Sequence, residues 1–329
     1  MSSGPETHTE EPSVSVPEIR PAADAAAGTT FDAADLARRV RELDAAWTAA
    51  AGSPDAALVA AGETVVAELM DRLETGLIRA AAPDPASPGG WRVESWVKTG
   101  ILLAFRLPGM TELRDGPIAA GRDRSALGII DLLGSVGARA AGASGAPWRI
   151  VPGGTSVRRG AYLAPGVTII PPAFVNSGAW VGEGCMIDSH VLVGSCAQIG
   201  RHVHLAAGVQ VGGVLEPPGA RPVIVEDEAF VGGGSGLYEG VTVGRGAVIG
   251  AGVILTGQSR LVDLVEEREL PGTPDAPLVV PPGAVVVPGS RPAGGQWASV
   301  RGISLAVPVI VKHRDGGTDS RVALEEALR

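Results

Sequence analysis

The sequence predicts a mainly β protein whose central part is a parallel β-helix of six-residue repeats. Aliphatic residues recur at every sixth position over two long stretches between residues 163 and 260. Glycines interrupt both stretches every few residues, and Phe, Trp and Tyr make up only 4% of the chain. A core with so few aromatic side chains must be filled by Val, Ile, Leu and Ala, as the interior of a narrow coil is.

The repeat keeps one register from Leu163 to Val211 and resumes after a break, from Val225 to Leu255. The aliphatic positions are Leu163, Ile169, Val175, Val181, Ile187, Val193, Ile199, Leu205, Val211, Val225, Val231, Leu237, Val243, Ile249 and Leu255. Because glycines exclude one long strand, each hexad is predicted to be a short strand and a tight turn, with the aliphatic residue inward. Three hexads close a triangular coil, and stacked coils pair at about 4.8 Å. A glycine-rich loop would not produce this regularity.

The flanking segments are predicted to be of different kinds. Residues 1–28 are rich in Pro, Ala, Ser and acids without an apolar period, which predicts a disordered tail. Residues 29–147 are expected to form a helical domain, residues 148–290 the β-helix, and residues 291–329 a C-terminal extension. The register break at 213–224 contains prolines that cannot join a strand ladder, so it is predicted to be a protruding loop.

Apolar spacings of three and four residues predict the helices. One begins near Phe31, and a second begins at Ser53 as the capping residue and stops near Gly76. The other predicted elements are helices at Trp96–Phe105, Ala126–Leu133 and Ser320–Arg329, a loop at 262–278, a partial coil at Val279–Val287 and a strand at Ile303–Val311.

Charge and composition narrow the possible partners and location. The net charge of −9 argues against nucleic acid and anionic membranes as partners. No apolar run reaches the length of a membrane span, and the first residues do not begin a signal peptide, so a cytoplasmic protein is expected. Cys185 and Cys196 form no CxxC motif, which fits buried thiols in a reducing compartment.

One carboxylate stands out as a candidate general base. Asp188 follows the inward Ile187 and should face outward, toward a groove or a neighbouring subunit. Turn positions also take Asp for backbone reasons alone, so spacing leaves both interpretations open.

Histidines and arginines supply the other candidate groups. His190, His202 and His204 lie in adjacent hexads and could form a zinc site or supply a histidine base, although surface histidines are the commoner outcome and no metal is predicted. Arginines near the coil, together with Lys312, could hold a carboxylate or a CoA phosphate. The glycine-rich run Val231–Gly236 lacks the lysine of a phosphate loop.

Several strings resemble the tetrahydrodipicolinate N-succinyltransferase family of lysine and diaminopimelate biosynthesis. The resemblance covers roughly residues 60–329, with a divergent patch at 107–147. The matching segments are Trp96–Lys98, Ile101–Arg106, Arg149–Gly153, Met186–Asp188, Val193–Gly200, Val203–Leu205, Gly212–Pro217 and Val309–Lys312.

The resemblance implies a left-handed β-helix, a homotrimer with active sites between subunits, and direct acyl transfer without a metal. It implies succinyl-CoA as donor, with acetyl-CoA as the open alternative, and an amino dicarboxylate as acceptor. Asp188 matches the family's catalytic carboxylate, and Arg149 matches a residue that binds an acceptor carboxylate. The remaining candidates are Arg158, His190 and Ser195 for the acceptor, and Gly213, Gly233, Gly250, Ala251, Gly257 and Lys312 for the CoA thioester.

Two departures affect the acceptor pocket. Residues 232–236 read Gly-Gly-Gly-Ser-Gly, where the commoner form of the family has Gly-Ala-Arg-Ser-Glu, and residues 188–190 read Asp-Ser-His, where the family has Asp-Thr-Trp. A divergent branch shares Ser-Gly-Leu at residues 235–237. Loss of an arginine that can pair with a carboxylate keeps open a relative that acylates another nitrogen nucleophile. A zinc-dependent or non-catalytic β-helix protein is the remote alternative.

Overall fold

The central architecture is a parallel β-helix of triangular coils, in a computed structural model that describes residues 31–115, 119–132 and 148–314. Each coil takes eighteen residues, because Thr168, Met186 and His204 pair in register one above the other. Two-residue strands form three faces, which we name in chain order. The first face contains Arg149–Ile150, Thr168–Ile169, Met186–Ile187, His204–Leu205, Phe230–Val231, Val248–Ile249 and the start of Ala284–Pro292. The second face contains Ser156–Val157, Phe174–Val175, Leu192–Val193, Gln210–Val211, Gly236–Leu237 and Ile254–Leu255. The third face contains Tyr162–Leu163, Trp180–Val181, Gln198–Ile199, Ile224–Val225, Thr242–Val243 and Val279–Val280.

The interior of the coil confirms the hexad prediction. All fifteen aliphatic positions of the two registers are buried, and Leu163, with 3% exposure, is the most accessible of them. They form one continuous apolar column with the small residues beside them. The first residue of each strand points outward instead, so the outer surfaces of the three faces carry the chemistry.

The N-terminal part is a cluster of three helices with its own core. Helix α1 spans Ala33–Ala49, α2 spans Ala56–Glu74 and α3 spans Ser95–Arg106. The cap of α2 differs from the prediction: the Asp55 carboxylate, not Ser53, accepts the Leu58 N–H, because only Asp55 directly precedes the first turn. Small strands that the periodicity did not predict are Ala81–Pro83 with Trp91–Val93 and Met110–Asp115 with Ala119–Arg124, and short 3-10 turns lie at Pro88–Gly90 and Ser125–Leu127.

The predicted helix at Ala126–Leu133 is wrong over its described part. Only a 3-10 turn at Ser125–Leu127 forms, and Ile129 then bridges to Arg158. The reason is packing, because Leu127 is buried in the helical core whereas Ile130 is buried in the coil. An extended chain can connect the two cores, and one short helix cannot present both residues to them.

The C-terminal part extends the first face into a ten-stranded sheet. Ala284–Pro292 pairs antiparallel with Ser304–His313, which confirms the strand predicted at Ile303–Val311, and helix α4, Gln296–Val300, lies between them. The segment 262–278 is not all loop, because Arg260–Asp263 and Arg268–Pro271 form a hairpin. Asp263 favours its tight turn by accepting the N–H groups of Val265 and Glu266. The predicted tail at 1–28 and helix at Ser320–Arg329 lie outside the described residues.

The segment predicted to protrude between the second and third faces is fastened to the helical domain. The Lys98 ammonium, from α3, is fully buried and donates to the carbonyl of Ala220. Arg221 donates to the carbonyls of Gly240 and Pro277. The segment is therefore tied down at its C-terminal end, while Gly213 and Glu216 remain exposed.

Candidate active site

The candidate residues lie mainly at two corners of the coil. The first corner joins the first face to the second and contains residues 188–190, 206–208, 232–234 and 250–252. The second corner joins the second face to the third and contains residues 194–196, 212–223 and 256–278. Each corner is a stack of turns, so side chains from successive coils meet there although they are about eighteen residues apart in the chain.

Asp188 lies at the first corner with its side chain 30% exposed. Its N–H donates to the Leu205 carbonyl, and its Oδ1 accepts the Ser189 N–H at 2.9 Å, which fixes one carboxylate oxygen. The left-handed residue of this turn is His190, with φ of 62°, not Asp188. The turn therefore does not explain the choice of Asp at 188, and the outward Oδ2 is available to chemistry.

The imidazole of His204 lies beside this carboxylate. Its Nε2 is 3.7 Å from Asp188 Oδ2, and Nε2 itself is buried from solvent. The ring meets Phe230 edge to face, with centroids 5.2 Å apart. His204 is therefore a site residue whose position the sequence analysis did not predict, because it was considered there only as a metal ligand or solitary base. The signal was present as a spacing: His204 is the outward residue of the first face one coil above Met186, and Met186 is two positions before Asp188.

The three histidines do not converge. His190 is exposed at the first corner. His202 lies at the third corner, where the third face joins the first, and His204 is on the first face. Among residues 31–115, 119–132 and 148–314, no group of three or more His, Cys, Asp or Glu side chains could hold a metal ion. The geometry thus gives no support to a zinc site built from these histidines within one chain.

A shallow groove of about 250 Å³ opens on the second face and reaches His190 at the first corner. Its lining includes Phe174, His190 and Gln210. The Gln210 carboxamide donates to the backbone carbonyls of His190, Gly208 and Val209, which fixes its orientation. His190, which was predicted to bind the acceptor, thus lines the groove. Ser195, predicted for the same role, is buried at the second corner with 7% exposure.

The two predicted acceptor arginines have different surroundings. Arg149 is exposed at the first strand of the first face, three coils below His204. Arg158 is largely buried, and its guanidinium binds Asp123, the Asn176 side chain and the Leu127 carbonyl. A carboxylate ligand at Arg158 would have to replace these partners, whereas Arg149 could bind one directly.

The residues predicted to line a CoA groove fall into separate sets. Gly233, Gly250 and Ala251 lie at the first corner, in the coils above Asp188, and Gly213 and Gly257 lie at the second corner. A Cβ at Gly213 would approach the Ser195 nitrogen to 2.8 Å, and one at Gly257 the Glu239 oxygen to 2.2 Å. Glycine is thus required at these two positions by coil packing. Lys312 lies on the last strand, paired with Val285 beyond the first face.

Tyr238 occupies the space above one of the glycines that depart from the family pattern. A Cβ at Gly236 would lie 2.5 Å from the Tyr238 ring and 2.9 Å from its hydroxyl oxygen, and a Cβ at Gly212 would lie 2.8 Å from the same ring. By contrast, a Cβ at Gly234 would meet nothing within 4 Å. The phenol therefore covers the second face where a longer side chain at 236 would otherwise lie.

Both cysteine thiols are unsuited to nucleophilic chemistry. Cys185 and Cys196 are buried and unbridged, and burial raises the pKa of each thiol to about 12. A thiol that stays protonated at neutral pH is a poor nucleophile. A covalent acyl-cysteine intermediate is therefore disfavoured.

A coil built of six-residue repeats, with an outward carboxylate next to an imidazole, is typical of the hexapeptide-repeat acyltransferases. Models described as "Tetrahydrodipicolinate N-succinyltransferase N-terminal" and "Hexapeptide repeat of succinyl-transferase" match residues 40–107 and 222–257. The chain belongs to the tetrahydrodipicolinate N-succinyltransferase family. That assignment rests on relatives that the chain matches along nearly their whole length.

Two relatives are named 2,3,4,5-tetrahydropyridine-2,6-dicarboxylate N-succinyltransferase. The protein of Methylorubrum extorquens is 38% identical over 88% of this chain and 97% of its own length. That of Parvibaculum lavamentivorans is 41% identical over 80% of this chain and 89% of its own length. A solved N-succinyltransferase from Campylobacter jejuni aligns weakly, with a TM-score of 0.37 and 20% identity over 55% of this chain and 43% of that one. No helix of the described residues is long and apolar enough to cross a membrane.

Proposed function

We propose that the protein transfers the succinyl group of succinyl-CoA to the nitrogen of tetrahydrodipicolinate, a step of lysine and diaminopimelate formation. The observation that carries the proposal is the 38% to 41% identity to N-succinyltransferases along nearly their whole length. The outward Asp188 carboxylate at a stacked corner supplies the base that this reaction needs. A cytoplasmic location stays a prediction.

The chemistry is direct transfer. The nitrogen of the hydrated acceptor attacks the thioester carbonyl, and Asp188 accepts the proton that the nitrogen loses. Backbone N–H groups stabilise the oxyanion while the C–N bond forms, and the C–S bond then breaks as CoA leaves as a thiolate. No step requires a metal or an enzyme thiol, in keeping with the buried, protonated cysteines.

A groove between subunits would reconcile the separated sets of CoA-lining residues. In one chain the first corner carries Gly233, Gly250 and Ala251, and the second corner carries Gly213 and Gly257. In a homotrimer of three side-by-side coils, the first corner of one subunit lies against a neighbouring coil. A pantetheine arm could then contact both sets, with Lys312 and Arg149 as candidates for the donor phosphate and the acceptor carboxylate.

The altered acceptor pocket favours a second candidate function. Tyr238 covers Gly236, and His190 lines the groove on the second face. These changes preserve the coil and the base but alter what surrounds the acceptor. The second candidate is therefore an N-acyltransferase that acts on another amino acid or nitrogen nucleophile, because fold and donor do not determine the acceptor.

The test is thiol release from succinyl-CoA and, in parallel, from acetyl-CoA. Each donor is offered tetrahydrodipicolinate and a panel of amino acids and diamines. Release that depends on tetrahydrodipicolinate with succinyl-CoA supports the first candidate. Release with a different acceptor replaces it with the second, and faster release from acetyl-CoA overturns the donor assignment. Absence of release with every pair would contradict an N-acyltransferase with these substrate classes.

A further inference from the structure

We propose that His204 is the positioning residue for Asp188 and that its protonation sets the acidic limit of the reaction. The inference rests on the proposed role of Asp188 as general base. It depends on two features: the distance between the two side chains, and the contacts that hold the carboxylate and the imidazole in place.

The two oxygens of Asp188 have different partners. Oδ1 accepts the Ser189 N–H at 2.9 Å, so the turn itself holds that oxygen. Oδ2 faces Nε2 of His204 at 3.7 Å. The separation of 3.7 Å is an electrostatic contact and is longer than a hydrogen bond, so a proton on Nε2 would attract Oδ2 and favour one orientation of the carboxylate. The outward lone pairs of Oδ2 then keep one direction for the acceptor nitrogen.

The imidazole is itself held by packing. His204 pairs in register with Met186 in the coil below and with Phe230 in the coil above. Its ring stands edge on to Phe230, at an interplanar angle of 88°. Neither flanking side chain titrates, and the next residue, Leu205, points into the core. Asp188 faces His204 from the adjoining corner at 3.7 Å, so the protonation of each affects the other.

The coupling gives a direction for the pH dependence. A protonated imidazole beside a carboxylate stabilises the carboxylate anion, so Asp188 becomes a weaker base when His204 is charged. Activity should therefore fall as the pH drops through the titration of His204. Replacing His204 by Gln keeps an N–H donor near the Nε2 position but removes the titrating group. Replacing it by Phe keeps the ring packing but removes the donor and the titrating group.

The first test measures the coupling without any substrate. In the full-length protein with histidine labelled at Cε1, the His204→Gln variant assigns the His204 resonance among the five histidines. We expect Asp188→Asn to lower the titration midpoint of that resonance by about 0.5 to 1 pH unit. The resonance of His202, at the third corner, is the matched control and should not shift. An unchanged His204 midpoint in Asp188→Asn would overturn the coupling.

The second test measures the consequence for turnover with whichever acceptor the protein uses. We expect His204→Phe to lower kcat about tenfold with the KM for the CoA thioester unchanged, and His204→Gln to retain most of kcat while its acid limb moves to lower pH. The double variant Asp188→Asn with His204→Phe should be no slower than Asp188→Asn alone. Multiplicative losses in the double variant, or an acid limb unmoved in His204→Gln, would show that His204 does not act through Asp188. Absence of turnover in the unaltered protein would count against the proposed function alone, because the titration still decides the coupling.

Discussion

At the scale of single residues, the first corner contains some residues that the backbone conformation requires and one, Asp188, that it does not. His190 takes the left-handed conformation of its turn, and Gly208, Gly234 and Gly252 take it in the coils above. Asp188 does not, so its identity has no conformational explanation. Gly213 and Gly257 show the opposite case, because neighbouring backbone excludes any Cβ there. Glycine at those positions is required by the coil, whether or not a ligand passes over them.

Asp188→Asn should abolish most of the acyl transfer and leave the fold intact. The amide preserves the shape and can still accept the Ser189 N–H, but it cannot take a proton at neutral pH. We expect kcat to fall about 10² to 10⁴-fold, as for loss of a general base. Thiol release at saturating donor measures it, with circular dichroism to confirm folding. Near-normal turnover would remove Asp188 from the role of base.

Gly236→Ala should destabilise the protein by about 1 to 2 kcal/mol, because the new methyl group displaces the Tyr238 ring. Gly236 does not adopt a positive φ, so the backbone itself should tolerate alanine. The cost should disappear when the same substitution is made in a Tyr238→Ala background. Equal costs in both backgrounds, measured by thermal or urea unfolding, would show that the ring is not the obstacle.

At the scale of elements, one arginine joins the helical domain to the coil. Arg79 stacks on Trp180 of the third face with its guanidinium carbon 4.1 Å from the ring centroid, and it lies 5.4 Å from the Trp91 ring. Its Nε donates to the side chain of Gln198 at 2.9 Å. Burial lowers the pKa of Arg79 to about 10, so it remains charged at neutral pH. The contact therefore combines a cation–π stack with a hydrogen bond to a buried amide.

Arg79→Met should loosen the helical domain from the third face. Loss of the stack and of the hydrogen bond to buried Gln198 should cost about 2 to 3 kcal/mol. Hydrogen exchange in α2 and α3, together with the unfolding midpoint, measures the effect. Arg38→Met is the matched control, since Arg38 makes exposed ion pairs on α1, which contribute little to stability. Equal effects of the two substitutions would contradict the role assigned to Arg79.

A second element-scale contact predicts a pH dependence of stability. Burial lowers the pKa of Lys98 from its ordinary 10.5 to about 8. Between these pH values the unfolded chain binds the proton and the folded chain does not, so the stability contributed by this group rises as the pH goes from about 8 to 10.5. Below pH 8 both states are protonated, and the buried charge costs roughly 3 kcal/mol.

Lys98→Met should remove that dependence. Between pH 8 and 10, the unfolding free energy of the unaltered protein should increase relative to that of Lys98→Met. At pH 7, Lys98→Met should be no less stable than the unaltered protein, although it loses the hydrogen bond to Ala220. Lys312→Met is the control that should keep the rise. A difference between the unaltered protein and Lys98→Met that is flat from pH 7 to 10 would contradict a buried, easily deprotonated Lys98.

At the scale of the whole molecule, the separation of the candidate residues onto two corners predicts that a single chain is an incomplete catalyst. We expect a particle of three times the 33.2 kDa chain mass in light scattering. Specific activity should fall on dilution in step with loss of that particle, because the proposed groove is formed by two subunits. A monomer with full specific activity would contradict the shared groove.

The coil and its core could be predicted from the sequence because the repeat is local. Each hexad contains its own strand, turn and inward residue. The period of six therefore determines the register without any long-range information. The outward direction of Asp188 followed from the same period. The three helices were likewise predicted from their apolar spacing, although the cap at Asp55 was not, because several residues near a helix start can serve.

Only the tertiary structure decided which outward groups meet. Asp188 and His204 come together because stacking brings one coil above another, and Tyr238 covers Gly236 because its side chain folds back along the second face. The segment 126–133 is not helical because Leu127 and Ile130 belong to different cores. A repeat determines where each backbone segment lies, whereas contacts between side chains on the outer surface depend on rotamers and neighbours that no period encodes.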